Sequence, residues 1–175
     1  MSVGVSIRRA TLGDAQALAA LGATTFTETF GHLYKNEDLQ AFLKKNHSPQ
    51  AYEKILADSD WAVWIAEAPD GEKMGYAAAG PCGLPVPEMP EKSGELVRLY
   101  LLRARQKSGV GARMLATALD WLEQNFDHLY LSVYAENYGA QRLYQRHGFV
   151  KIHDYFYKVG DHFDPEWIMQ RKSDL

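Results

Sequence analysis

Apolar residues recur at helical spacing through the first third of the chain. One face of a predicted helix is formed by Leu12, Ala15, Leu18, Ala19 and Leu21. Thr11 and Asp14 have the spacing of a capping-box variant, so we expect the helix to start there. Residues 37–44 and 49–58 repeat the period and predict two more helices. Apart from a short strand at 5–8, the N-terminal part is therefore predicted to be helical.

The pattern then changes to runs that are typical of strands. Residues 61–67 and 73–79 are apolar runs separated by Pro69, Asp70 and Gly71, which have the turn chemistry of a hairpin. The next stretch, residues 80–94, contains four prolines. Because proline neither donates to a strand ladder nor continues a helix, this stretch is expected to be a loop between two strands.

Strands and helices alternate in the remainder of the chain. Residues 95–102 predict a strand, and the apolar spacing that begins at Val110 predicts a helix. Further elements follow, namely strands at 128–133, 150–159 and 167–171 and a helix at 137–147 closed by Gly148. The pattern therefore predicts an α/β protein with a mixed sheet.

Composition limits the class of protein. The chain has 175 residues, 46% of them hydrophobic and 23% charged, with no repeat or linker, so we expect a single domain over residues 1–175. Its net charge is −3 and it has no basic block, so a nucleic-acid partner is not expected. No apolar window approaches the roughly 20 residues that span a bilayer. A membrane partner is therefore not expected, and a cytoplasmic location is the default expectation.

Cysteine and histidine usage disfavours two kinds of chemistry. Cys82 is the single cysteine, and no Ser-His-Asp or Cys-His set is suggested, so a covalent acyl-enzyme is not expected. The six histidines show no His-x-x-x-His spacing. We therefore predict no metal site.

A glycine-containing segment, residues 106–111, lies between a predicted strand and a predicted helix. Unpaired amides and the positive end of a helix dipole make such a position suitable for an anion. The segment lacks the Gly-Lys-Ser/Thr ending of a Walker loop, and Met114 occupies the place of the third glycine of Gly-x-Gly-x-x-Gly. By itself the loop is equally compatible with a structural turn and with a diphosphate site.

Two motifs in this chain resemble those of the GNAT superfamily of acyl-CoA-dependent N-acyltransferases. The loop motif Gln/Arg-x-x-Gly-x-Gly/Ala is matched by Gln106, Gly109 and Gly111. A later motif is matched at its spacing by Asn137, Ala140, Tyr144, Gly148 and Phe149. The resemblance covers nearly the whole chain and implies a single GNAT-like domain, with a mixed, mostly antiparallel central sheet flanked by helices.

The resemblance also implies acetyl-CoA as cosubstrate and a set of residues that bind it. Backbone amides would bind the CoA pyrophosphate at Gln106, Lys107, Ser108, Gly109, Val110, Gly111 and Ala112. The end of the strand at 95–102, including Tyr100 and Leu101, would pair with pantetheine. Asn137 would contact the cofactor, although an Asn at a helix start is equally explained as an N-cap.

Two residues are candidates for the chemistry. In the family the tyrosine that matches Tyr144 protonates, or donates a hydrogen bond to, the departing thiolate, whereas packing alone would also explain a helix tyrosine. Glu95 is the candidate base that removes a proton from the attacking ammonium, although a solvated Glu at a strand start is nearly as good an explanation. Strand alternation places Glu95 with Val97, Leu99 and Leu101, and Tyr100 on the opposite face.

The acceptor is predicted to be a primary amine of a small molecule, which receives the acetyl group directly in a ternary complex. Residues 23–30, 96–101 and 155–161 resemble bacterial PaiA-like polyamine N-acetyltransferases more loosely, which suggests a polyamine. Phe26 and Phe30 in the first of these segments are explained equally by substrate contact and by packing. A protein N-terminal or lysine amine and a non-catalytic CoA-binding module remain alternatives, and a homodimer is possible.

Overall fold

The computed structural model describes residues 4–172 and contains one seven-stranded sheet. The strands are β1 (Ser6–Arg9), β2 (Ala62–Glu67), β3 (Lys73–Pro81), β4 (Ser93–Leu101), β5 (His128–Tyr134), β6 (Phe149–Val159) and β7 (His162–Arg171). The order across the sheet is β1-β2-β3-β4-β5-β7-β6. The pair β4 and β5 is parallel, and the other neighbouring pairs are antiparallel. The predicted mixed, mostly antiparallel sheet is confirmed.

Five helices pack around the sheet. They are α1 (Ala15–Phe30), α2 (Asn36–Asn46), α3 (Pro49–Ala57), α4 (Val110–Asn125) and α5 (Tyr138–Arg146). The capping box of Thr11 and Asp14 is present, but it opens a short 3-10 turn over Leu12–Asp14 that leads into α1. The proline-rich loop is shorter than predicted and covers residues 82–92, because β3 continues to Pro81 and β4 begins at Ser93.

The two faces of the sheet are buried by different helices. On one face, α4 contributes Leu115 and Leu122 to a core that also contains Leu96 and Leu131. On the other face, α1 and α3 bury Val63, Ile65 and Tyr76 of β2 and β3 under residues such as Leu18 and Tyr52. Burial of apolar area on both faces is the main favourable term that holds the central strands.

Strands β4 and β5 separate halfway along their length. Their parallel pairing runs from the Ser93–His128 pair to the Leu96–Leu131 pair. Beyond that point residues 98–101 pair with β3, and residues 132–134 pair with β7. The result is a wedge-shaped gap, with backbone polar groups of β4 on one side that need a partner.

A bulge in β4 overturns one prediction. Arg98 pairs with Ala78 and Leu96 pairs with Ala79, so Val97 is an extra residue in β4. Leu96 and Leu99 consequently share the α4 face, although they are three residues apart. The expected grouping of Glu95 with Val97, Leu99 and Leu101 is therefore wrong, because the bulge brings Glu95 to the face of Tyr100.

Candidate active site

The segment before α4 has a backbone that only a few residue types adopt easily. Gly109 is the N-cap of α4 and has a φ of 83°, and Lys107 also has a positive φ of 61°. A Cβ placed on Gly109 would meet no atom within 4 Å, so the space above this residue is open. The first-turn amides at Val110, Gly111 and Ala112 have no helical acceptor, and this arrangement suits a bound anion.

Three basic residues near this loop are held in different ways. Arg105 forms an ion pair with Glu72, and the Nη2 of Arg113 donates to the carbonyl of Val5 at 3.0 Å. Lys107 is exposed. Of the three, Lys107 is the side chain most able to move toward a bound phosphate, and the other two add fixed positive charge.

Asn137 caps α5. Its Oδ1 accepts a hydrogen bond from the amide of Ala140 at 3.2 Å. The buried Gln141 donates to the carbonyls of Tyr134 and Ala135, which fixes the turn between β5 and α5. The N-cap explanation of Asn137 is confirmed, and the turn it stabilises leads from β5 into α5.

Tyr144 lies in the last turn of α5 and is 7% exposed. Its ring packs edge-on against Phe149 with a centroid distance of 6.2 Å, whereas Tyr138 is exposed and does not share this environment. Burial, and then the charge of Glu166, raise the pKa of Tyr144 above the ordinary value. The hydroxyl is therefore protonated at neutral pH and is able to donate a hydrogen bond.

Glu95 is a buried carboxylate rather than a solvated residue at a strand start. It is 8% exposed, and its Oε2 accepts a hydrogen bond from the amide of Gly83 in the proline-rich loop at 3.0 Å. Burial raises the pKa of Glu95 to about 7, and the charge of Glu166 adds to the rise. A carboxylate with this pKa exchanges protons readily at neutral pH, as a catalytic base must.

Glu166 in β7 is a second carboxylate whose pKa is raised by burial, and it was not among the residues predicted from the sequence. Its Oε2 accepts a hydrogen bond from the Tyr155 hydroxyl at 3.2 Å, and it also interacts with the Ser132 hydroxyl. Burial raises the pKa of Glu166 to about 7. The available signal was the pair Asp164 and Glu166, two acidic residues at alternate positions of a strand, which point to one face.

Asp164 lies nearby on the same strand and is 2% exposed. Its carboxylate accepts a hydrogen bond from the Tyr34 hydroxyl, and its Oδ1 lies 2.7 Å from the Nδ1 of His162. Asp164 therefore connects β7 to the turn that follows α1.

The aromatic segment of α1 packs in the core. Phe26 and Phe30 are 6% and 8% exposed and form a cluster with Leu39 of α2. Phe30 also packs edge-on against Tyr134 at 5.7 Å. The packing explanation of the two phenylalanines is thus confirmed, and their cluster fills the space between α1 and β5.

Glu28, also in α1, uses one carboxylate oxygen to accept a hydrogen bond from the amide of Arg103 at 3.2 Å.

The thiol of Cys82 is not activated for nucleophilic attack. Burial raises the pKa of the Cys82 thiol to about 11, so it is protonated at neutral pH and is a poor nucleophile.

Within residues 4–172, no group of three or more His, Cys, Asp or Glu side chains is arranged to hold a metal ion. No helix in that range is long and apolar enough to cross a membrane.

Comparison with known proteins agrees with this geometry. Residues 25–149 match the Acetyltransferase (GNAT) family. An uncharacterized N-acetyltransferase of Mycobacterium tuberculosis is 29% identical over 163 residues, which cover 91% of this chain and 97% of the relative. The crystal structure of PaiA N-acetyltransferase from Thermoplasma acidophilum with coenzyme A has a TM-score of 0.76 at 20% identity, and covers 97% of this chain and 99% of that one.

A chimera of spermidine N-acetyltransferase SpeG from Vibrio cholerae and hSSAT has the same fold, with a TM-score of 0.68 at 18% identity and coverage of 96% of this chain and 95% of that one. The family match spans most of the chain, so the protein belongs to the GNAT acetyltransferase family. It is an N-acetyltransferase, and acetyl-CoA is its cosubstrate. The open space at Gly109 and the unpaired edge of β4 suit a diphosphate and an extended amide chain.

Proposed function

We propose that the protein transfers the acetyl group of acetyl-CoA directly to a primary amine of a small molecule. The observation that carries this proposal is a set of three buried or partly buried groups, Glu95, Glu166 and Tyr144, in which the charge of Glu166 acts on the other two. Two carboxylates with a pKa near 7 supply proton acceptors, and a buried tyrosine hydroxyl supplies a donor. Attack by the amine requires a proton acceptor, and departure of the thiolate is aided by a hydrogen-bond donor.

The residues act in a definite order in this mechanism. The amides at residues 106–112 and the free edge of β4, at Tyr100 and Leu101, hold the cosubstrate with its thioester between β4 and β5. A carboxylate takes a proton from the acceptor ammonium, and Glu95 is the base that the sequence predicts. Tyr144 donates its hydroxyl hydrogen bond to the sulfur as the carbon–sulfur bond breaks. Because Cys82 is protonated, no acyl-enzyme is needed.

Among small amines, polyamines are the first candidates. The support is the resemblance of three segments to PaiA-like enzymes and the acidic lining of the acceptor side, where Glu95, Glu166 and Asp164 are buried or partly buried. Negative charge attracts alkylammonium groups, and the effect is larger at buried positions than at exposed ones. Glu28 in α1 already accepts a hydrogen bond from the amide of Arg103.

The experiment measures release of CoA thiol from acetyl-CoA with spermidine, spermine, small monoamines, amino acids and short peptides. We expect release with small amines and the highest kcat/KM with polyamines. Release with peptides alone would contradict the small-molecule proposal and favour a protein amine. Release with monoamines but not polyamines would keep the reaction and reject the polyamine. A covalent acetyl-protein detected by intact-mass measurement without acceptor would contradict direct transfer.

A further inference from the structure

We propose that Glu166, rather than Glu95, binds the acceptor ammonium and takes its proton. This assignment rests on the proposed function and names the residue that receives the substrate in it. Three structural observations support it: the place of Glu166 in the sheet, the hydrogen bonds that hold its carboxylate, and the charges around it. Glu95 is then not the base, and the charge of Glu166 adds to the rise of its pKa.

The sheet register places the two carboxylates on opposite sides of the point where β4 and β5 separate. Glu95 pairs with Tyr130, in the part of β4 that is still bonded to β5. Glu166 pairs with Tyr134 at the far end of β5, beyond the last β4–β5 pair at Leu131. Glu166 is therefore level with the open part of the gap, on the strand beyond β5, while Glu95 is level with the closed part.

The hydrogen bonds agree with these positions. The Oε2 of Glu95 is turned toward the amide of Gly83 in the proline-rich loop. Glu166 is held by two hydroxyl groups, those of Tyr155 and Ser132, which come from the strands on either side of β7. A carboxylate has about four acceptor sites, so Glu166 retains acceptors for an incoming ammonium. The two hydroxyls fix its orientation without neutralising its charge.

The groups that face Glu166 come from every element around it. They are Tyr155 and Tyr157 of β6, Ser132 and Tyr134 of β5, Glu95 and Tyr100 of β4, Tyr144 of α5, Tyr34 in the turn after α1, and Asp164 of β7 itself. This set is composed of acids and hydroxyls. Arg98, the nearest cation on this face of β4, acts on Tyr100 and Tyr157.

Glu166 also acts on the candidate acid. After burial, the charge of Glu166 is the cause that raises the pKa of Tyr144, and it likewise raises the pKa of Tyr100. An electrostatic effect of this kind requires proximity. Glu166 is thus the carboxylate that shares the environment of Tyr144, as a base must if both act on one tetrahedral centre.

The proton balance of the step is simple. The acceptor enters as R-NH3⁺ and gives one proton to Glu166. The free amine attacks the thioester carbonyl, the nitrogen–carbon bond forms and the carbon–sulfur bond breaks. The nitrogen loses a second proton, and the thiolate gains one with the help of Tyr144. Glu166 releases its proton to solvent, so the products are the acetamide, CoA thiol and one proton.

The test compares pH profiles of kcat/KM for Glu166→Gln and Glu95→Gln with the best acceptor of the parent enzyme. We expect Glu166→Gln to lower kcat/KM by about 100-fold or more and to remove the acid limb of the profile. Glu95→Gln should cost less than about 10-fold and keep the limb. The control is Glu136→Gln, because Glu136 is exposed and bonds only to Tyr134 at 2.7 Å among the contacts described.

A second variant keeps the assignment testable if Glu166→Gln does not fold. Tyr155→Phe removes a hydrogen bond that stabilises the charged form of Glu166, so the acid limb should move to higher pH. An unmoved limb in Tyr155→Phe, or a Glu166→Gln profile like that of Glu136→Gln, would overturn the assignment. A parent enzyme that acetylates no amine would instead overturn the proposed function, and calorimetry with acetyl-CoA would separate that result from loss of the fold.

Discussion

The proposed cofactor side and the proposed acceptor side of the gap are built from different kinds of chemical group. The cofactor side consists of backbone groups, namely the amides at residues 106–112 and the free edge of β4, and these come from one continuous stretch of chain. The acceptor side consists of side chains from β4, β5, β6, β7 and α5, which converge from distant positions. One side is open to solvent at Gly109, and the other is largely buried.

This difference explains what each side recognises. Oriented amides solvate a diphosphate whatever the side chains are, so a short glycine pattern is enough to specify the site. Partly buried carboxylates and phenols discriminate by charge and shape, and their pKa values depend on every neighbour. The comparison predicts that substitutions on the acceptor side change catalysis and pH dependence, whereas substitutions in the loop change cosubstrate affinity.

The largest expected effect is at Tyr144, where the two sides meet. We expect Tyr144→Phe to lower kcat by roughly 10- to 1000-fold, because the departing thiolate loses its hydrogen-bond donor. Affinity for acetyl-CoA, measured by calorimetry, should change little, since the ring and its packing against Phe149 are retained. Unchanged turnover would remove Tyr144 from the mechanism.

The loop should show the opposite behaviour. Gly109→Val places a branched side chain into the open space that the diphosphate needs and strains the backbone, so we expect acetyl-CoA affinity to fall by about 10-fold or more. Gly71→Val is a matched control, because Gly71 also has a positive φ, of 90°, and no neighbour within 4 Å of a Cβ. Equal affinities of the two folded variants in calorimetry would contradict the diphosphate assignment.

The smallest effect concerns stability and belongs to the acceptor side. Glu95 and Glu166 have pKa values near 7 in the folded protein, against 4.5 in the unfolded chain. The folded state therefore binds more protons between these values, and the free energy of unfolding should fall as pH rises from 4.5 to 7, by on the order of 1 to 3 kcal/mol per carboxylate. Urea titrations should give a flatter pH dependence for Glu166→Gln. Equal slopes would contradict the burial of this charge.

The features of the cofactor side and of the secondary structure could largely be predicted from the sequence. The order of strands and helices and the glycine loop were predictable, because local period and turn residues specify them. The role of Asn137 as a cap was predictable for the same reason. These are signals carried by residues close together in the chain.

The acceptor side was harder to predict. Strand alternation failed at Val97, because a bulge depends on pairing with β3 and leaves no mark in the apolar pattern of β4. Glu166 was missed because its importance arises from the register of β7 with β5 and from burial by β6. Phe26 and Phe30 were left open between packing and substrate contact, and only the tertiary structure places them in the core.

Because β4 separates from β5, the stability of the fold should depend on the concentration of the ligand that binds there. In the proposed complex an extended ligand pairs with the free edge of β4 at residues 98–101, and it binds the folded state and not the unfolded chain. Each tenfold increase in free acetyl-CoA above its dissociation constant then adds about 1.4 kcal/mol to the free energy of unfolding. The acetyl-CoA concentration around the enzyme thereby changes the fraction of molecules that is folded as well as the rate of the reaction.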